Sequence, residues 1–173
     1  YIMKRYFYWI AIFLMGFLMI TGENLEAATS TKSDLKDYLQ QVKKLEKLHY
    51  GPIQTSLREI RNIELKPQTR KEILEKKLLP NLDSLLKDWD QVAPQTTEVQ
   101  EINQHYKKAY ELMRESMTLR SKAWDLEQIE SNLLTSGNIA QAKEFRAQIN
   151  LEHSKATQKL NEASMQADVA MDA

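Results

Sequence analysis

The sequence predicts an all-α protein: an elongated four-helix bundle with up-down-up-down topology, preceded by an N-terminal hydrophobic helix that serves as a signal or an anchor. Three observations predict this fold. Residues 97–170 carry two series of apolar side chains spaced seven apart, which is the spacing of a helical seam. Apolar residues before them recur with a period near 3.6. Glycine and proline number only four each in 173 residues, which leaves few long loops.

Residues 1–27 have the order of an export signal. Lys4 and Arg5 form a short basic start, residues 6–20 are uncharged and mostly apolar, and a polar stretch ends in the small residues Ala27 and Ala28. As a helix the apolar run spans roughly 22 Å, short of the ~30 Å hydrocarbon core. This favours a signal cleaved after Ala27 over a membrane anchor. A buried core helix is the third alternative, but the remaining chain is too polar to cover it.

Both export interpretations place the rest of the chain outside the cytoplasm, either secreted or anchored. Membrane contact is then expected only through residues 6–20, and only if they are retained. Residues 28–33 are polar and predict a flexible lead-in to a bundle over residues 34–170.

The first helix of the bundle is predicted over residues 34–63, and Ser33 or Asp34 can cap its start. Its apolar side chains keep one helical phase across Gly51 and Pro52, so a single kinked helix is expected there. The second helix is predicted over residues 67–92, with a kink at an internal proline, Pro80. Residues 93–96 close it, and Thr96 or Thr97 can cap the third helix.

The third and fourth helices are predicted over residues 97–135 and 139–168, folded back on each other as an antiparallel hairpin. Between them, Gly137 can take the left-handed conformation that ends a helix, and Asn138 can cap the next one. One seam is rich in leucine and the other in small residues, which allows close approach of the two backbones. The first seam is Leu112, Leu119, Leu126 and Leu133, and the second is Ala142, Ile149, Ala156, Ala163 and Ala170.

Composition excludes several function classes. Basic and acidic side chains number 24 each, whereas a nucleic-acid-binding protein needs a basic excess to neutralise phosphates. The chain has no cysteine, which removes disulfides, thiolate nucleophiles and iron–sulfur clusters. There is no Gly-x-Ser-x-Gly and no glycine-rich phosphate loop. The sequence therefore nominates no catalytic residue and predicts a protein that is not an enzyme.

Histidines raise the question of a metal site. Glu46 and His49 form one Glu-x-x-His pair, of which a di-iron bundle needs two, and Glu101 and His105 are one residue too far apart. The helix lengths place His105 about 10 Å along the axis from His49 and His153. His49 and His153 lie at about the same height along the bundle axis, but they can meet only if both side chains point inward. We therefore expect no metal and no other cofactor.

Other polar and aromatic positions are given structural interpretations. Methionines at 113, 117 and 165 could ligate haem iron, but methionine on an apolar stripe is typical of core packing. Arg120 and Glu127 lie beside the leucine seam, where a polar pair can set helix register. Among the aromatic side chains, Trp124 is expected to be packed and Tyr50, beside Gly51, is expected to be the most exposed.

The layout of a signal, a kinked first helix and a leucine/alanine hairpin resembles the small exported helical-bundle proteins of Gram-positive bacteria. The resemblance implies a location outside the cytoplasm and supplies no ligand. The sequence thus predicts a non-enzymatic binding protein of the cell envelope, with a protein or an envelope component as its partner. Two alternatives remain at this point: a metal- or haem-binding bundle, and a membrane-tethered spacer that self-associates.

Overall fold

The computed structural model describes residues 29–62 and 64–172, and the predicted signal or anchor over residues 1–27 lies outside them. The described residues form helices joined by short connections, with no strand among them, which confirms the predicted all-α class. Its elements are α1 (Thr29–Ile60), α2 (Pro67–Ile73), a π-helical segment (Leu74–Leu78), α3 (Leu79–Trp89), α4 (Thr97–Thr135) and α5 (Ile139–Asp172). Because α2, the π segment and α3 follow one another without a break, we call them together the second rod. None of these helices combines the length and the apolar character that a membrane span requires.

The helix α1 starts earlier than the sequence predicts. It begins at Thr29, so residues 29–33 are helical where a flexible lead-in was expected. The Asp34 side chain does not cap α1. It accepts hydrogen bonds from the backbone N–H groups of Gln95 and Thr96 and from the Thr96 hydroxyl, at 2.7–3.0 Å. Because the Asp34 side chain bonds residues outside α1, it does not end the helix at residue 34. The helix continues toward the N-terminus as far as Thr29.

The same contact changes the expected cap of α4. Thr96 is the N-cap residue in its backbone geometry, with φ −91° and ψ 149°, but its side chain makes no hydrogen bond to an α4 amide. The hydroxyl donates to Asp34 instead. The start of α4 is thus tied to α1 by a carboxylate that lies 62 residues away along the chain.

Across Gly51 and Pro52, α1 is a single helix, as the phase of its apolar residues predicts. Gly51 and Pro52 are both exposed. Because proline has no N–H, the carbonyl of Leu48 loses its helical hydrogen bond, and this carbonyl lies on the solvated side of α1. Ser56 donates its hydroxyl to the Pro52 carbonyl at 2.9 Å, which is a local bond within the same turn. The helix ends at Ile60.

Pro80 coincides with a π-helical turn immediately before it. The Leu79 N–H donates to the Leu74 carbonyl, five residues back, and Pro80 itself offers no donor. This wider turn leaves Leu74, Leu78 and Leu82 all fully buried. The expected irregularity at Pro80 is therefore present as a change of helical pitch. The rod ends at Trp89, before the predicted limit at residue 92.

Side-chain contacts fix the directions of the rods. The second rod runs antiparallel to α1 and to α4, and α5 runs antiparallel to α4 along its whole length. The defining pairs are His49–Asp88 and Glu59–Lys77 for α1, Trp89–Asn103 and Lys71–Asp125 for the second rod and α4, and His105–Gln166 and Glu130–Arg146 for α4 and α5. In the described residues the close backbone approach of α5 is concentrated on α4. Its Leu160 and Ala170 nevertheless join the common core.

The helices α4 and α5 approach each other more closely than leucine side chains between them would allow. Every residue of the predicted α5 seam is buried, but on α4 only Leu112 is fully buried and the other three leucines are half-buried. Between the leucines lies a second series spaced by seven, Ala109, Ser116 and Ala123, which is buried throughout. The Ser116 hydroxyl donates to the Ala156 carbonyl at 2.7 Å. The small residues form the contact, and the leucines flank it.

Candidate functional site

Each histidine has a different partner on a different helix. The pairs are His49 Nε2 with Asp88 Oδ2 at 2.7 Å, His105 Nδ1 with Gln166 Oε1 at 2.7 Å, and His153 Nε2 with Glu127 Oε1 at 3.0 Å. Hence the structure does not bring the histidines together. Within residues 29–62 and 64–172 there is no group of three or more histidine, aspartate or glutamate side chains suited to a metal ion. The absence of metal from the purified protein stays a prediction.

Glu46 and His49, the one Glu-x-x-His pair, do share a site. They line a cavity of about 20 Å³ between α1, α3 and α4, which we call the Glu46 cavity. This volume accommodates one or two water-sized groups. The remaining lining residues are Tyr50, Ile53, Leu85, Tyr110 and Met113. The exposed walls are thus almost wholly apolar and aromatic, and one of the lining residues, Glu46, has a carboxylate.

The electrostatics of the Glu46 cavity centre on that carboxylate. Burial raises the pKa of Glu46, and Lys43, one turn earlier on α1, partly offsets the rise. Burial together with the charge of Glu46 raises the pKa of Tyr106 to about 12, and it also raises the pKa of Tyr110. Tyr38 lies against the same two tyrosines, and burial raises the pKa of its hydroxyl as well. All three tyrosines are therefore neutral phenols at physiological pH.

His49 is buried, with 6% of its surface exposed, and its hydrogen bond to Asp88 fixes the ring against α3. The described lining contains no serine, threonine or lysine that could act as a nucleophile beside it. As arranged, the Glu46 cavity can bind a small group but does not assemble an acyl- or phosphoryl-transfer site. The spacing of Glu46 and His49 raises the possibility of metal chemistry, but it gives no sign of Asp88, which lies 39 residues from His49 in the chain.

Polar pairs join α4 and α5 along their edges. Glu127, predicted to set helix register with Arg120, accepts a hydrogen bond from His153 of α5. Glu130 and Glu152 are buried at the same interface, where Arg146 bonds the first at 2.6 Å and Lys122 bonds the second at 3.0 Å. These contacts fix the register of the hairpin, which is a structural role.

The hairpin tip, residues 131–141, is the second candidate site. Gly137 has φ +79°, the left-handed conformation that its position predicts, and the Asn138 N–H donates to the Leu133 carbonyl at 2.9 Å. Every residue of the tip is exposed except Leu133, which is half-buried. Lys71 of the second rod bonds Asp125 of α4, and the rod begins at Pro67, so its first turn lies about one turn farther along α4. The tip therefore projects beyond the part of the molecule where α1, the second rod and α4 pack together.

The hairpin tip carries no charge and exposes two large apolar side chains. Leu134 and Ile139 are 49% and 59% exposed, and Ile129, just before the tip, is 41% exposed. Residues 131–142 contain no charged side chain, in a chain that is 28% charged overall. The sequence showed this stretch only as a turn, because nothing in it indicates how far the neighbouring rods extend.

The remaining aromatic and methionine positions can also be placed. Tyr50 is 40% exposed and Trp124 is buried, as predicted. Tyr110 is buried as well. Arg70 lies over the Trp124 ring, 5.8 Å from its centroid. Met113 and Met117 are in the core, but Met165 is 65% exposed on α5, on the side opposite the alanine seam.

No family model, no curated protein and no solved structure matches this chain.

Proposed function

We propose that the protein is an exported, non-enzymatic helical bundle that binds a protein of the cell envelope through its hairpin tip. In this proposal residues 1–27 direct export as a signal or anchor, and the four rods form an elongated up-down-up-down bundle that presents the tip at one end. The basic-then-apolar order of residues 1–27 supports export. The antiparallel contacts between successive rods support the topology.

The observation that carries the proposal is the distribution of exposed large apolar side chains. Of the eight such side chains among the described residues, six lie on α4 and α5, and three of those six lie at or beside the tip. Exposed apolar groups that cluster at one place, away from charge, are typical of protein contact surfaces. Leu134 and Ile139 stand on either side of Gly137, so a partner can cover both at once.

The small volume of the Glu46 cavity and the bonding of His49 favour binding over catalysis. The cavity holds about 20 Å³, which is too small for most substrates, and His49 is already bonded to Asp88. A ligand pocket for a whole small molecule is usually at least ten times larger. The cavity therefore suits a single chemical group.

Cross-linking in the producing cell tests the proposal. A photoreactive phenylalanine analogue is placed at Leu134, and the control carries it at Gln148, an exposed residue of α5 outside the tip. Irradiation of cells should give a defined protein adduct from position 134 and not from position 148. Adducts of the same mass from both positions, or none from 134 when the protein is exported in normal amount, would contradict binding through the tip.

A further inference from the structure

The outward face of α5 carries exposed side chains that are mostly uncharged. Three of them are large and apolar, and Leu151, Met165 and Val169 are 53%, 65% and 47% exposed. They are the three exposed large apolar side chains of α5 that lie away from the hairpin tip. This face lies opposite the alanine seam, and the close backbone approach of α5 in the described residues is concentrated on α4. No described helix therefore covers it.

The outward face has a spacing that reads the same in both directions. Seven positions follow one another at intervals of four, three, four, four, three and four residues, which keeps them on one side of a helix over roughly 33 Å. We call them the outer stripe: Ala147, Leu151, Ser154, Gln158, Glu162, Met165 and Val169. A two-fold symmetric dimer needs a patch that is complementary to itself. The outer stripe meets that requirement, because it maps onto itself when α5 is turned end over end about Gln158.

Two α5 helices packed antiparallel about Gln158 would cover the apolar groups of the outer stripe. Leu151 of one copy lies seven residues before Gln158, so it falls opposite the partner's Met165, seven residues after it. In the same way Ala147 falls opposite the partner's Val169. The two Gln158 side chains meet at the centre, where each amide can donate to the other and accept from it.

Charge complementarity favours the antiparallel direction over the parallel one. Lys155 and Glu162 lie at the surface on the same flank of the outer stripe, each bonded within α5, to Glu152 and to Lys159 respectively. They stand three residues before and four residues after Gln158. An antiparallel pair therefore places Lys155 within about one residue's rise of the partner's Glu162, and symmetry repeats this contact. In a parallel pair the same two groups would be about 10 Å apart along the axis.

We propose that the outer stripe is an interface with a second copy of this chain, in which two α5 helices pack antiparallel about Gln158. Only one helix face of each copy takes part, so the association is weak, with a dissociation constant on the order of 10–100 μM. The two hairpin tips then lie at opposite ends of the dimer. The outer stripe shares no residue with the hairpin tip, so dimerisation and the binding function proposed above can fail separately.

Sedimentation equilibrium of the purified exported protein tests dimerisation. The average mass should rise from one chain at about 1 μM toward two chains at about 300 μM. Leu151→Lys, which places a charge in the outer stripe, should weaken the dimer at least tenfold. Leu48→Lys, at an exposed leucine of α1, is the matched control and should leave it unchanged. The mass of one chain at every concentration, or equal dimerisation of Leu151→Lys and the parent, would overturn the proposal.

Disulfide trapping tests the direction of packing, because the chain has no cysteine of its own. Gln158→Cys should oxidise to a linked dimer, since the symmetry brings both copies of this position together. Leu151→Cys should not link to itself, but should link to Met165→Cys when the two variants are mixed. Gln148→Cys, at an exposed position outside the outer stripe, is the control and should stay unlinked. Linking of Leu151→Cys to itself, or of Gln148→Cys, as readily as Gln158→Cys would contradict antiparallel packing.

Discussion

Asp34 shows how much one side chain contributes to the junction of two helices. Its carboxylate accepts three hydrogen bonds from Thr96 and Gln95 groups just before α4. Burial alone would raise its pKa, but the N–H groups of Thr96 and Gln95 and the Thr96 hydroxyl lower it more, so the net pKa lies below its ordinary value of 3.8. The sequence identified Asp34 only as a cap for α1, because a partner 62 residues away leaves no local signal.

Replacing Asp34 with asparagine should reduce the free energy of unfolding by about 1 kcal/mol at pH 7, after allowance for solvent screening. Because the folded pKa is depressed, the contribution of Asp34 is present above the unfolded value near 3.8 and is lost as pH falls through the folded pKa. Urea unfolding at pH 7 and at pH 3 measures both effects. Asp37→Asn, at an exposed position of α1, is the control and should change little. An equal loss at both pH values would contradict the role of the Asp34 charge.

For single residues of the candidate site, the sequence predicts positions on a helix but not partners on other helices. The spacing of Glu46 and His49 marks two residues on one face of α1, and the structure places both around one cavity. The spacing could not reveal that Asp88 binds His49 and leaves Glu46 alone, since this depends on how the second rod packs.

At the scale of elements, the hairpin of α4 and α5 is where the sequence is most informative. Seven-residue spacing predicts both helices, and the glycine and asparagine of the turn predict its position and geometry. The seam on α4 was assigned to leucine, however, and the structure places the small residues Ala109, Ser116 and Ala123 at the closest approach. Both series repeat every seven residues, so periodicity cannot choose between them. The close packing of α4 against the alanine-rich face of α5 places the small residues at the interface.

Enlarging a small residue of that interface should separate the helices. Ala156 is fully buried and its carbonyl accepts the Ser116 hydroxyl, so Ala156→Leu is expected to lower the free energy of unfolding by about 1–3 kcal/mol through overpacking. Ala147→Leu, at an exposed position of the same helix, is the matched control and should lie within about 0.5 kcal/mol of the parent. Urea unfolding compares the two variants. Equal stability of both would mean that Ala156 is not at the interface.

The second rod illustrates a feature that the sequence could indicate only in part. Pro80 predicts an irregularity, but not whether the helix bends, breaks or widens. The π-helical turn keeps Leu74, Leu78 and Leu82 buried on one side, a result of packing against α1 and α4.

For the molecule as a whole, four rods share one core while α5 is held mainly along α4. The consequence is a hairpin whose tip extends past the second rod and exposes Leu134 and Ile139. The sequence predicted the number of rods and their short connections. It could not predict the projecting tip, which arises because the second rod begins at Pro67, about one turn past the level of Asp125, while α4 continues to Thr135.

We expect the N-terminal residues 1–27 to direct export of the whole chain. Residues 3–28 fused to a reporter that is active only outside the cytoplasm should give activity, because they combine a basic start with an apolar run. N-terminal sequencing of the released product should give a sequence that begins at Ala28 or Thr29. Replacing residues 10–14 with polar residues is the control and should abolish activity. A full-length product in the membrane would favour the anchor, and a soluble cytoplasmic one would exclude export.

The proposed binding role requires that the middle of α4 is buried and that its last turn and the following turn are exposed. Amide hydrogen exchange of the purified bundle measures this directly, residue by residue along α4 and α5. The amides of residues 106–124 should exchange slowest, since their side chains pack against α5, α1 and the second rod, and those of residues 131–141 should exchange much faster than these. Protection of residues 131–141 equal to that of residues 106–124 would mean that the tip is covered, and would contradict its presentation to a partner.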